Sequence, residues 1–202
     1  MKVLVTGADG FVGCWLTRRL LHDGHDVYGA IRMGEETRND CLSPAEQGAV
    51  RWLPLELTDD ASVRRYVDLP YDAVVHLAAQ ASVTRGEQHP GRTWHENAAG
   101  TARISSVLGR AKAAGEAEPM LLLVSSVEVY GPGVAAPRKE TDPVAPVSAY
   151  ATSKLGAEIA ALAEWRRTGL RVLVARPSPH TGRGQNERAF VPKYARRIIA
   201  AK

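Results

Sequence analysis

Cysteine is scarce in this chain, with only Cys14 and Cys41 among 202 residues. The two have no metal-ligand spacing and no evident partners, which argues against a disulfide framework or a metal site and for a reducing, cytoplasmic setting. Cys14 reads as the core-facing residue of a helix. Aromatic residues make up 6% of the chain, and no stripe of aromatic and basic side chains occurs. The formal charge of +4 therefore reads as solvated surface rather than a nucleic-acid footprint. No apolar run reaches the length of a membrane span, and a first strand opening at Lys2 leaves no room for a signal peptide. Repeats and low-complexity tracts are also missing. What remains is 45% apolar and 24% charged, an ordinary soluble composition long enough for one main domain with a full core.

Short apolar runs recur at residues 2–6, 26–31, 50–55, 72–78, 120–125 and 170–175. Helical stretches at 11–23, 60–68, 94–114 and 149–168 separate them, with Thr58-Asp59 and Ser148 as capping groups. This rhythm predicts an α/β fold, a doubly wound parallel sheet with helices on both faces. Gly7, Ala78-Ala79, Ser125-Ser126 and Arg176-Pro177 then gather at one sheet edge, where such folds bind ligands. Residues 131–147, rich in Pro and Gly, read as a loop that can act as a lid.

Gly7, Gly10 and Gly13 lie where the first strand turns directly into a helix. A turn that tight, approaching a pyrophosphate and starting a helix against a strand, needs residues without a Cβ, and the helix's free N–H groups then face the anion. Tyr150 and Lys154, four residues apart, share one helix face. A phenol titrating near 10 needs about 4 kcal/mol of phenolate stabilisation to work near neutrality, and the Lys154 ammonium is the direct means of supplying part of it. The second strand ends in Ile31 with Arg32 behind it, where NAD-preferring enzymes carry an acid. A guanidinium there favours NADP over NAD, because it can bind a 2′-phosphate bidentately. His76, ending a buried strand, reads as a satisfied core histidine.

Several ordered motifs run through nearly the whole chain: Thr6-Gly7-Ala8-Asp9-Gly10-Phe11-Val12-Gly13, Leu57-Thr58-Asp59, His76-Leu77-Ala78-Ala79-Gln80, Asn97-Ala98-Ala99-Gly100-Thr101, Ser125-Ser126-Val127-Glu128-Val129-Tyr130-Gly131, Tyr150 with Lys154, and Arg176-Pro177. In these the chain resembles the extended short-chain dehydrogenase/reductases that modify nucleotide sugars. The resemblance implies a Rossmann domain over residues 1–176 and the beginning of a substrate-binding region over 177–202. It implies Tyr150 as general acid/base, Lys154 as its pKa modulator and ribose holder, Ser126 as the hydroxyl on the reacting sugar oxygen, and Asn97 as support for the lysine. Cofactor contacts fall on Gly7, Asp9, Gly10, Phe11, Val12, Gly13, Arg32, Glu56, Leu57, Leu77, Ala78, Ala79, Tyr150, Lys154 and Pro177. Substrate contacts fall on Gln80, Ser82, Ser126, Glu128, His180 and Arg183, with no metal.

The run His180-Thr181-Gly182-Arg183-Gly184-Gln185 is most similar to the branch acting on GDP-sugars. Ser178-Pro179 stands where that branch usually has Phe-Asn, and Arg183 replaces a usual Pro. Two enzymatic readings follow. One is an NADP-dependent GDP-4-keto-6-deoxymannose reductase. The other is a GDP-mannose 4,6-dehydratase, in which Glu128 would be the base that removes the C5 proton. A third, of another class, is a non-catalytic dinucleotide-binding protein, against which the intact Ser126, Tyr150 and Lys154 argue. Relatives continue well beyond residue 202, so either the chain is truncated or it is a reduced form. The helices at 94–114 and 149–168 resemble those that pair in the family's homodimers.

Overall fold

Central strands of a sheet covered on both sides should be apolar on both sides, and the run Ala73–His76 is buried at all four positions. The computed structural model describes residues 1–32, 34, 41–133, 137–187 and 189–201. Six strands form one parallel sheet: β1 (Lys2–Thr6), β2 (Asp26–Ile31), β3 (Arg51–Pro54), β4 (Ala73–His76), β5 (Met120–Val124) and β6 (Arg171–Ala175). Their order is β3-β2-β1-β4-β5-β6, the doubly wound topology of a Rossmann fold. The winding reverses between β1 and β4, whose last paired residues are Thr6 and His76. A crevice opens there at the carboxyl ends of the strands.

The helices are α1 (Phe11–His22), α2 (Pro44–Ala49), α3 (Asp60–Val67), α4 (Val83–Gln88), α5 (Pro90–Trp94), α6 (Gly100–Ala113), α7 (Ala149–Thr168) and α8 (Phe190–Ala200). A π-helical turn, His95–Ala99, joins α5 to α6, and a 3₁₀ turn, Val127–Tyr130, follows β5. Asp59 caps α3 and Ser148 caps α7, as their positions in the sequence suggest. Alternate residues of the strands enter two separate cores. Leu4, Val74, Leu121 and Leu123 pack with Val63, Ile104, Leu108 and Ala157 on one face. Val3, Val5, Val27 and Val75 pack with Cys14 and Leu42 on the other.

Three short or exposed helices are not anticipated by the β–α rhythm. The α2 helix is six residues long and held by a capping box between Ser43 and Glu46, with Pro44 in its first turn. The α4 helix has the same length and a Ser82 cap. The α8 helix buries none of its residues, so core periodicity carries no trace of it. The expected helix at 94–114 begins earlier, at Pro90, and is interrupted by the π turn.

The expectation that Cys14 and Cys41 lack partners is corrected by the fold. They form a disulfide with a Cα–Cα distance of 6.2 Å across 27 residues of sequence. Cys14 does face the core, and Cys41, shortly before α2, packs against the same core. That proximity is tertiary, and sequence spacing cannot reveal it. The cysteines therefore give no argument for a reducing compartment. No helix among the described residues is long and apolar enough to cross a membrane. Closing a loop of this length should contribute about 3 kcal/mol to stability. Urea unfolding of Cys14→Ser/Cys41→Ser against the oxidised protein is expected to show a loss of about that size, and equal midpoints would mean that the thiols do not pair in solution.

Candidate active site

A methyl group on Gly13 would lie 2.0 Å from the Gly7 carbonyl oxygen, and one on Gly7 would lie 3.0 Å from the Ala78 backbone. Gly7 also has φ +69°, a conformation that favours glycine. The turn between β1 and α1 is thus closed to side chains at both ends. Gly7 and Ala8 donate their N–H groups to the Ala30 carbonyl, at 2.9 and 3.3 Å, tying the turn to β2. The α1 helix has no side-chain cap and no acidic residue in its first turn. This arrangement leaves room and positive potential for a phosphate.

The turn opens on a cavity of about 1080 Å³, at the top of the range for small-molecule sites. Every residue that the motifs assign to the cofactor lines it: Gly7, Asp9, Gly10, Phe11, Val12, Gly13, Arg32, Glu56, Leu57, Leu77, Ala78, Ala79, Tyr150, Lys154 and Pro177. Ser126, Glu128 and His180 line it as well. The residues and the space fit a dinucleotide whose pyrophosphate rests on the turn. Arg32, Glu56 and Leu57 would hold its adenosine end.

Neighbouring elements hold the side chains expected to be catalytic. Ser126 ends the β5 segment and caps the 3₁₀ turn, its Oγ accepting from Glu128 N at 3.2 Å. Ser125 N and Val127 N donate to the carbonyls of Ala175 and Pro177, at 2.7 and 3.1 Å, which pins the β5 end to the chain leaving β6. The first turn of α7 is held by α4, where the Glu87 carboxylate accepts from Ala149 N at 2.7 Å. Tyr150 follows immediately, so a helix absent from the sequence pattern positions the phenol.

The family model for the NAD dependent epimerase/dehydratase family matches residues 3–202. The chain belongs to that family. Among curated relatives, GDP-6-deoxy-D-mannose reductase of Pseudomonas aeruginosa is 35% identical over 204 residues, covering 100% of this chain and 59% of the relative. UDP-glucose 4-epimerase of Mycolicibacterium smegmatis is 32% identical over 159 residues, covering 79% of this chain and 50% of the relative. The chain thus spans little more than half the length of these proteins. Among solved structures, UDP-glucose 4-epimerase of Thermus thermophilus in complex with NAD is similar with a TM-score of 0.81 and 26% identity, over 96% of this chain and 60% of that one.

Within this epimerase/dehydratase frame, three predicted substrate residues do not reach the cavity. Gln80 is 7% exposed. Its amide nitrogen donates to Ser82 O and Thr93 Oγ1, at 3.0 and 3.2 Å, and its amide oxygen accepts from Ser82 N at 2.6 Å. Ser82 caps α4. Arg183 lies beside the Cys14–Cys41 disulfide, its carbonyl accepting from Trp15 Nε1 at 2.9 Å. The expected lid also stays away, since none of the described residues of 131–147 lines the cavity. Residues 134–136 lie outside the described residues. Conversely, Glu96 lines the cavity at 6% exposure and was missed. It comes from the π turn, where a regular helical period does not tell which way a residue faces.

Asn97, the next residue, reaches Ser153 Oγ at 2.9 Å and the Gln80 backbone at 2.8 and 3.0 Å rather than Lys154 itself. His76 is satisfied on both sides, with Nδ1 2.7 Å from Thr6 Oγ1 and Nε2 3.1 Å from Thr101 Oγ1. Thr101 donates to Asn97 O at 2.7 Å, so its oxygen accepts from Nε2–H, and Nδ1 accepts from Thr6. Burial, with the Lys154 charge nearby, pushes His76 down to about 3. It is neutral and structural.

Burial dominates the proton affinities of Tyr150 and Lys154. Burial pushes the Tyr150 phenol above its ordinary range, a hydrogen bond to Ser126 draws it back, and the Glu128 carboxylate raises it further. The Lys154 ammonium is itself pushed down to about 8 by burial, against the opposing pull of Glu158. Glu158 is 2% exposed. It accepts from Ser125 Oγ at 2.5 Å and from the Arg176 guanidinium at 2.6 and 3.0 Å.

A lysine whose folded pKa lies below its unfolded value of 10.5 makes the unfolded chain bind more protons between those two values. Its burial cost is therefore full below about 8 and gone above 10.5. The Lys154→Met variant should accordingly be more stable than the parent at pH 7, by on the order of 3 kcal/mol. The gain should close between pH 8 and 10.5, as followed by urea unfolding. No gain at pH 7 would show that the lysine is solvated.

Proposed function

We propose that the protein is an NADP-dependent nucleotide-sugar oxidoreductase acting at sugar C4, specifically a GDP-4-keto-6-deoxymannose reductase. One observation carries the reading: Ser126, Tyr150 and Lys154 line the same cavity as the three-glycine turn. When bound, the nicotinamide cofactor supplies hydride to the sugar carbon. Tyr150 donates a proton to the forming alkoxide, Ser126 hydrogen-bonds that oxygen, and Lys154 brings positive charge beside them. A phenol held above its ordinary pKa is in its acid form at neutral pH, which suits reduction better than an opening oxidation. Arg32, lining the adenosine end, supports NADP over NAD through the 2′-phosphate. The GDP assignment rests on residues 180–185 and on likeness to a relative named for a GDP-sugar.

Residues 1–176 would carry the cofactor and 177–202 begin the substrate-binding region. Trp94, Ile159 and Trp165 are exposed on α5 and α7, which supports a homodimer built on these helices. A cytoplasmic setting rests on where nicotinamide and nucleotide-sugar pools lie, since the cysteines no longer argue for it.

Tyr150→Phe should lower the NADPH-dependent rate on a GDP-4-keto-6-deoxy sugar by about 100-fold or more while NADPH still binds. An unchanged rate would favour a non-catalytic dinucleotide-binding protein. A stronger response to UDP- or dTDP-sugars in the same absorbance assay would remove the GDP assignment. Glu128, lining the cavity and acting on Tyr150, favours a second reading as a 4,6-dehydratase. If the reductase reading holds, Glu128→Gln should leave reduction within a few-fold. Formation of a 4-keto product from GDP-mannose without added reductant, abolished by that substitution, would establish the dehydratase instead.

A further inference from the structure

Among the described residues, two carboxylates, Glu96 and Glu56, lie with Arg32 at the adenosine end of the cavity. Glu96 is buried and lines the cavity, and its two oxygens are held by different guanidiniums. Oε1 accepts from Arg92 Nε at 2.6 Å, and Oε2 accepts from Arg32 Nη2 at 3.3 Å. The first is a short charge-assisted bond, and the second is longer than such bonds usually are. Arg92 stands one helical turn before Glu96, so that clamp is local, whereas Arg32 arrives from the end of β2. Glu56 lies beside them. Burial raises its carboxyl, but hydrogen bonds from Thr58 and the charges of Arg32 and Arg92 outweigh it and hold it below its usual range.

The consequence concerns which ribose the site accepts. A ribose diol can donate to the Glu96 carboxylate, and a 2′-phosphate must take the Arg32 guanidinium from it. A buried carboxylate stripped of every partner would be costly. Glu96 is not stripped when Arg32 turns to a phosphate, because the shorter bond to Arg92 remains.

We propose that Glu96 is a specificity-determining residue of the cofactor site: it competes with the ribose 2′-phosphate for Arg32, and Arg92 sets the strength of that competition by neutralising the carboxylate. This rests on the reading of Arg32 as the 2′-phosphate ligand and deepens it. The site then takes a ribose phosphate by exchanging one anion for another on the same guanidinium, and it retains a carboxylate for a diol.

Dissociation constants for NADPH and NADH, measured by titration calorimetry on the parent and on the Glu96→Gln, Arg92→Gln and Arg32→Ala variants, test this. Glu96→Gln should shift preference toward NADPH by about fivefold, the effect of removing one partly exposed ion pair. Arg92→Gln should shift it the other way by about threefold, because the unscreened carboxylate then grips Arg32 harder. An unchanged or lowered NADPH preference in Glu96→Gln would overturn the competition, as would equal weakening of both cofactors. Should Glu96→Gln fail to fold, Arg92→Gln at its exposed position decides by the sign of its shift. If Arg32→Ala leaves the preference of the parent intact, the 2′-phosphate reading itself fails.

Discussion

A side chain at residue 13 cannot coexist with the Gly7 carbonyl that lies against it, and the rest of the site depends on that close approach. Because α1 starts against β1, its first turn lines the cavity at the switch point of the sheet. The same turn is anchored laterally, to Ala30 of β2 and against Ala78 beyond β4. From Ala78 a directed chain of hydrogen bonds runs through Thr6, His76 and Thr101 to the carbonyl of Asn97. A neutral histidine therefore links the three-glycine turn to the π turn through continuous hydrogen bonds.

Charge at the Tyr150–Lys154 end of the cavity is arranged by burial. Lys154 sits nearly out of water, and one helical turn further on Glu158 is clamped by Arg176, whose guanidinium lies 4.7 Å from the Tyr130 ring. The carboxylate is thus largely spent on Arg176, which is consistent with its failing to offset the desolvation of the lysine. Tyr150, less enclosed than Lys154, still keeps its proton more firmly than a phenol in water. At neutral pH the Tyr150 phenol therefore holds its proton, while the Lys154 ammonium titrates near 8.

Much of this was legible before any fold was known, and the exceptions have physical causes. Strand positions, the glycine turn, the Asp59 and Ser148 caps and the Tyr150–Lys154 spacing are local patterns, each written within a few residues. The Ser43–Glu46 capping box is equally local, but it opens a helix with no buried residue, so apolar periodicity does not mark it. Gln80 and Ser82 carry polar side chains in the right stretch of chain, but satisfy each other and α4 instead of the cavity. Arg183 is near the site in sequence and turned away from it in space.

Sequence by itself determined the alternation of apolar runs, hence the parallel sheet and the edge where ligands gather, because those depend only on periodicity and on residues lacking a Cβ. Tertiary structure alone decided which charges meet there. Cys14 found Cys41, Glu96 found Arg32 across 64 positions, and Glu158 found Arg176, since such pairings require the path of the chain in three dimensions. The acidity of Tyr150 belongs to the same class. It depends on how much water the packed elements exclude, and no spacing between two residues along a helix encodes that.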